Sequence, residues 1–217
     1  MQLYSKAHFA VRHAASKDAT RYNLNGIHFK TDGTTEATDG HILCRVKAAT
    51  PPGDEYPTVP GVYFGEGEAL QSFILPLEAA DRAVKSIPKA TRTSMPVLSH
   101  TALDVKSTNE NGNARFVATD IETATVTEGK KIEVEFPKTE NVIPKVAEDA
   151  VPTFVLNLQL MERIIKAAKE FKGPKARDLA AAFYVSEGKD AAISPILIRM
   201  KDPNIGELEA VIMPMRL

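Results

Sequence analysis

Two aspartates sit in matching contexts, Ala37-Thr38-Asp39 and Ala118-Thr119-Asp120. Paired carboxylates can run acid–base chemistry if a fold brings them together. An aspartate also bonds the backbone amides that follow it. The same tripeptide used twice therefore points to one turn built twice rather than to an active site. The histidines offer less. His8 and His13 stand one position too far apart for a helical metal pair at i and i+4, and the only cysteine is Cys44. The chain has no phosphate-binding glycine loop and no Gly-x-Ser-x-Gly elbow. These absences predict a protein that is not an enzyme and takes no cofactor or metal. A hydrolase using Asp39 is the remote alternative.

Binding chemistry is better represented. The chain closes on Val211-Ile212-Met213-Pro214-Met215-Arg216-Leu217, an apolar run where termini are usually polar and frayed. Methionine adapts to varied partners and proline fixes the backbone. Such an end suits one wall of a peptide-binding pocket; it also suits a last strand tucked into the core. Positive charge is concentrated on three stretches with helical spacing. One carries Lys6, Arg12 and Lys17, the next Arg82, Lys85, Lys89 and Arg92, and the third Arg163, Lys166 and Lys169. The net charge is only −1, so the rest of the chain is acidic. Basic helices suit phosphate contact, which is salt-sensitive and sequence-blind; lysines on wet helix faces are the plainer explanation.

Three similar units must position these residues. The first predicts a helix from Ser5 to Ser16, then strands near Tyr22–Lys30, Thr34–Thr38 and Ile42–Lys47, with Thr31-Asp32-Gly33 a hairpin signal. Residues 49–68, rich in proline, glycine and acid, read as an exposed loop or linker. The second unit has a strand at Phe73-Ile74-Leu75 and a helix from Leu77 to Ile87, stopped by Pro88. Its strands are expected at Thr101–Lys106, Ala114–Thr119, Thr123–Thr127 and Ile132–Phe136. The third has a strand at Phe154-Val155-Leu156, an N-cap at Asn157 and a helix to Phe171. Strands near Ala181–Ser186, Ile193–Met200 and Glu207–Met213 follow. Repeated strand, helix and antiparallel strands make an α+β fold. The expected division is a two-unit domain over 1–140 (1–68 and 69–140) and a half-domain over 141–217. Cys44, in an apolar stretch, is expected in the core. No apolar run reaches membrane-spanning length, and the N-terminus lacks a signal-peptide core. With a single cysteine, the expectation is a cytoplasmic protein.

Several of these motifs resemble the bacterial sliding clamp, the beta subunit of DNA polymerase III. Arg21-Tyr22-Asn23-Leu24-Asn25-Gly26-Ile27-His28-Phe29 is similar to the strand opening the clamp's middle domain, and Ala37-Thr38-Asp39-Gly40-His41 to a turn of that domain. Phe136-Pro137 and Asn141-Val142-Ile143-Pro144-Lys145 resemble its linker into the last domain. Pro96-Val97-Leu98 with Ala118-Thr119-Asp120-Ile121-Glu122 resembles the start of the first, and the C-terminus matches as well. The strong matches cover about a third of the chain.

The resemblance implies the DNA-clamp fold, with helices on one face of antiparallel sheets lining a ring around duplex DNA. It implies a groove of Leu24, Thr38, Gly40, His41, Leu43, Pro137, Val142, Val211, Met213, Pro214, Met215 and Leu217 that receives short peptides from polymerase and clamp loader. It also places Arg92, before Pro96, and Lys17, before the Arg21 strand, where family members contact DNA. Ile42 and Asn141 stand where the family usually has arginine, so a less positive groove is expected. Three units per chain, against two per domain and three domains per chain in the family, imply a homo-oligomer; the open sheet edge of the last unit predicts a tetramer. The runner-up is a clamp mimic that binds clamp partners without encircling DNA.

Overall fold

Ser5 is where the first strand gives way to the first helix. Gln2–Ser5 forms strand β1 and Lys6–Phe9 a single α-helical turn, α1, at whose start the Ser5 amide donates to His8 Nδ1 at 3.1 Å. The expected helix from Ser5 to Ser16 does not continue: Ala10–Ala14 is a 3-10 segment. Phe9, Val11, Ala14 and Ala15 are all buried, and Phe9 and Val11 fall on nearly opposite sides of a regular α-helix. Three residues per turn brings Val11 and Ala14 onto one face. His8 is buried too; burial, with His100 near it, pulls its pKa down to about 4, so it stays neutral at physiological pH. Among the described residues, no three His, Cys, Asp or Glu side chains group to hold a metal ion.

The structure, a computed structural model, describes residues 1–59, 69–89, 95–144, 146, 150, 152–172, 179–185, 194–202 and 205–215. It divides into two compact units, Met1–Glu140 and Asn141–Leu217. In the first, α1 and its 3-10 extension are followed by β2 (Gly26–Phe29), β3 (Thr35–Thr38), β4 (Leu43–Val46) and β5 (Phe73–Pro76). Then come α2 (Leu77–Ser86), β6 (His100–Leu103), α3 (Val105–Glu110), β7 (Asn113–Thr119) and β8 (Ala124–Lys130). These strands make two antiparallel sheets, ordered β4-β3-β2-β5 and β1-β6-β7-β8. Each sheet takes its outer strand from the other half of the unit. β5 pairs with β2 from Gly26↔Pro76 to Phe29↔Phe73, and β1 pairs with β6 from Gln2↔Leu103 to Ser5↔His100.

The core is correspondingly shared. Tyr4, Phe9 and Phe29 from the first half meet Phe73 and Phe116 from the second. Phe29 and Phe73 stack with ring centroids 4.9 Å apart, and Tyr4 meets Phe29 edge-on at 5.0 Å. Helix α2 lies so close to β8 that a Cβ on Gly129 would sit 2.4 Å from the Ala79 Cβ; small residues on both elements permit the contact.

Several local expectations are corrected. Residues after β6 form α3 rather than more strand, because Asp104 caps it, accepting from the Ser107 amide at 2.9 Å. Ile132–Phe136 contributes only a bridge between Ile132 and Ile74. Cys44 is exposed, since β4 is an edge strand and that residue points outward. Within the proline-rich loop, Tyr56 and Val59 are buried with Leu3, Val97 and Leu98, and the Tyr56 hydroxyl donates to the Val117 carbonyl at 2.9 Å.

The segment leaving the first unit is fastened by a buried carboxylate. Glu36, on β3, is only 1% exposed. Its Oε1 lies 2.9 Å from His28 Nδ1, and its Oε2 accepts from Arg45 and, at 2.8 Å, from the Thr139 hydroxyl. Phe136 stacks on His28 at 4.6 Å, and Lys30 and Arg45 also reach Glu140.

In the second unit Asn157 caps α4 (Leu158–Lys172), its Oδ1 accepting from the Gln159 amide at 2.9 Å. β9 (Ala182–Tyr184), β10 (Ile196–Asp202) and β11 (Gly206–Ile212) form one antiparallel sheet ordered β11-β10-β9. Phe154–Leu156, expected as a strand, belongs to no ladder among the described residues; the Val155 carbonyl accepts from the Met215 amide at 2.7 Å. Arg199 pairs with Glu207 and Glu209 across the β10–β11 hairpin and lies over the Tyr184 ring.

Burial pushes the pKa of Glu36 up, but the hydrogen bonds from His28, Arg45 and Thr139 outweigh it and hold the group at about 2, against an ordinary 4.5. A depressed carboxyl pKa contributes stability that is complete above the unfolded value and disappears as pH falls through the folded one. Glu36→Gln should therefore cost about 3 kcal/mol near neutral pH, and the gap to the parent should close between pH 4.5 and about 2. Urea unfolding of both proteins across that range measures it; a gap independent of pH would contradict the ionised network.

Candidate functional site

The turn between β3 and β4 is held by its own side chains. The Thr38 hydroxyl donates to the Ile42 carbonyl at 2.6 Å and accepts from the Gly40 amide at 3.0 Å. Asp39 Oδ1 accepts from the amides of His41 and Ile42 at 2.8 and 2.9 Å. These backbone bonds hold the Asp39 carboxyl below its usual pKa. Gly40 takes a φ of 92°, which glycine adopts without strain. Arg21 donates to the Asp39 carbonyl at 3.1 Å, bringing the 3-10 turn Tyr22–Leu24 alongside. Among the expected groove residues of this unit, Leu24 and Thr38 are buried, Leu43 is half-buried, and Gly40, His41 and Pro137 are exposed. Thr38, Gly40, His41 and Leu43 share the turn and its exit. Pro137 instead lines a cleft of about 450 Å³ with His28, Glu36 and Lys138.

The second Ala-Thr-Asp site repeats the device. The Thr119 hydroxyl donates to the Thr123 carbonyl at 2.6 Å and accepts from the Ile121 amide at 3.0 Å, while Asp120 accepts from the Thr123 amide at 2.7 Å. Both carboxylates are thus engaged in turn-making. One difference stands out: Ile121, in Gly40's place, has a φ of 84° and is 63% exposed. A β-branched residue there is strained.

In the second unit, β11 ends at Ile212, which is buried, while Val211, Met213 and Met215 are exposed and Pro214 is half-buried. Val211 and Met213 line a cleft of about 550 Å³ with Leu160, Arg163, Ile164 and Leu208. Val142 is exposed; Leu217 lies outside the described residues. Tail residues thus lie beside α4, an arrangement that sequence patterning did not reveal.

The basic residues divide into two kinds. Arg12 pairs with Asp81 at 3.1 Å, joining the first helical segment to α2. Arg82 pairs with Glu78 and donates to the Glu128 carbonyl at 3.0 Å, and Lys166 pairs with Glu162. Lys6, Lys17, Lys85, Lys89, Arg163 and Lys169 are exposed, with no ion pair among the described residues. Arg92 lies outside them.

No family model and no curated protein sequence matches the chain. Solved structures do. The beta chain of DNA polymerase III from Streptococcus pneumoniae aligns at TM-score 0.63 and 13% identity, over 99% of this chain and 49% of that one. The DNA polymerase sliding clamp from Bacillus subtilis aligns at 0.63 and 14%, over 99% and 49%. A sliding clamp from Bartonella birtlesii, bound to griselimycin, aligns at 0.63 and 20%, over 99% and 51%. The chain has the DNA-clamp fold of these proteins and spans about half their length.

The paired turns give a test. Ile121→Gly should stabilise the protein by about 1 kcal/mol by relieving the left-handed backbone, and Gly40→Val should destabilise it by a similar amount. Thermal melts of both variants report the signs; a less stable Ile121→Gly would show that the isoleucine side chain holds more than its backbone strain costs.

Proposed function

We propose that this protein is a sliding-clamp-like processivity factor: several copies encircle duplex DNA and tether a DNA polymerase and its clamp loader through their short clamp-binding peptides. The observation that carries this reading is the clamp fold over 99% of the chain, together with exposed lysines on α1, α2 and α4. In this reading Lys6, Lys17, Lys85, Lys89, Arg163 and Lys169 meet phosphate, with Arg12, Arg82, Arg92 and Lys166 adding to the field. Peptide anchors are taken by Leu24, Thr38, Gly40, His41, Leu43 and Pro137 in the first unit, and separately by Val142, Val211 and the tail from Met213 to Leu217 in the second. Preformed apolar clefts take such anchors with few polar contacts. The protein does no covalent chemistry, needs no cofactor and works in the cytoplasm. No described helix is long and apolar enough to cross a membrane.

A second reading, a mimic that occupies clamp partners without encircling DNA, is favoured by one feature. Arg12, Arg82 and Lys166 are neutralised by Asp81, Glu78 and Glu162, leaving fewer charges for phosphate.

Two experiments separate the readings. Reversing Lys85, Lys89, Arg163 and Lys169 to glutamate should weaken retention on circular duplex DNA at least about tenfold. It should also flatten the salt dependence by roughly one unit of slope per lost phosphate contact. An unchanged slope would leave these basic residues as solvated faces and favour the mimic. Val211→Ser with Met213→Ser should raise the Kd for a clamp-binding peptide about thirtyfold, as loss of a central anchor does. Both side chains are exposed, so the fold should survive. Unchanged peptide affinity would remove the tail from the groove.

A further inference from the structure

The second unit is built like one half of the first, and among the described residues its sheet lacks the strand that completes each half there. Phe73-Ile74-Leu75 leads into α2 at Leu77, and Phe154-Val155-Leu156 leads into α4 at Leu158 with the same spacing. The two leading segments are also held alike. The Ile74 carbonyl accepts from the Ile132 amide, just past the last strand of its half, at 3.0 Å; the Val155 carbonyl accepts from the Met215 amide, just past β11, at 2.7 Å. One edge of each segment is thereby occupied. The other edge of β5 pairs with β2, the first strand after the helix of the opposite half. No described strand fills that place beside Phe154–Leu156.

The acceptor is missing its partner in the same way. β9, the first strand after α4, corresponds to β2 and β6, each of which has a borrowed strand on its outer side. Among the described residues β9 pairs with β10 alone. Its three residues are exposed, Phe183 at 51%. Beside it an apolar cleft of about 450 Å³ is lined by Met161, Ile165, Ala168, Phe183 and Met200. The helix tells the same story. Ala79, Ala80 and Ala83 of α2 are buried; the matching Leu160, Met161 and Ile164 of α4, all larger, are not. Phe73 is 7% exposed against Phe29 of the other half, whereas its counterpart Phe154 is 37% exposed.

We propose that residues 141–217 are completed by a second copy of this chain through reciprocal strand exchange. Phe154–Leu156 of each copy adds to the outer edge of the other's β9, and the two α4 helices close over the apolar clefts around a two-fold axis. A second copy fits because donor and acceptor lie on the same unit, so one contact satisfies both twice, as an isologous interface requires. Main-chain pairing supplies the join, and burial of the clefts drives it. Phe154 and Leu156, flanking Val155, present their amides to the new partner, since backbone groups of alternate strand residues face opposite edges. The contact rests on strand order within the two units and not on DNA binding.

The test uses the full chain without DNA. Light scattering across micromolar concentrations should find the parent in an even-numbered assembly. Phe183→Asp, a charge on an exposed edge, should weaken that association about thirtyfold or more, the loss typical of a central interface anchor. The variant's circular dichroism should be unchanged. Amide exchange at Phe154, Leu156 and β9 should be slow at high concentration and quicken on dilution. A parent that stays monomeric, a Phe183→Asp variant of unchanged mass, or exchange independent of concentration would each overturn the proposal. So would a monomer whose β9 edge takes up an added peptide instead. Loss of DNA retention with the dimer intact would count against the clamp reading alone.

Discussion

The first unit depends on backbone pairing between its two halves. A strand edge presents amides and carbonyls that need partners, and here β5 serves β2 while β1 serves β6. Neither half has its full sheet alone. Because each borrowed strand runs straight into a helix, the exchange also brings α1 against α2 and gathers Tyr4, Phe9, Phe29, Phe73 and Phe116 into one aromatic core. Each such ring pair is worth about 1 kcal/mol beyond its buried area, so pairing and packing reinforce each other. In the second unit the same pieces recur, but among the described residues β9 pairs with β10 alone, and this contrast makes its open edge and thinly covered α4 meaningful.

The turns at Asp39 and Asp120 show how little sequence a fixed geometry requires. A threonine hydroxyl spans the turn and an aspartate caps the amides beyond it; together they satisfy backbone groups that no ladder reaches. The left-handed position between them holds glycine once and isoleucine once. The first turn is further pinned by Arg21, so the exposed His41 side chain projects from a rigid base.

Charge is distributed with similar economy. Some basic residues secure the structure: Arg12 bridges to Asp81, Arg45 satisfies Glu36 and Arg199 ties the last hairpin. Lys6, Lys17, Lys85, Lys89 and Lys169 instead stay exposed, with no ion pair among the described residues. Basic residues thus fall into two kinds, and only their neighbours distinguish them.

What the sequence determined by itself was local. Pro88 bounds α2, Asn157 caps α4, the Ala-Thr-Asp repeats make matching turns, and alternating apolar residues lay out β7, β10 and β11; each depends on atoms within a few residues. The motif resemblance likewise identified the α+β clamp fold, because its short signatures lie in turns and strand starts. Tertiary structure alone decided that Gln2–Ser5 is a strand, that the first helix tightens to 3-10, that Tyr56 is buried and Cys44 exposed, and that Arg12 finds an acidic partner in Asp81. It also decided which half each leading strand serves. Those outcomes are set by residues far along the chain: hydrogen-bond partners, burial and charge neighbours exist only once the halves have met, and no spacing within either half encodes them.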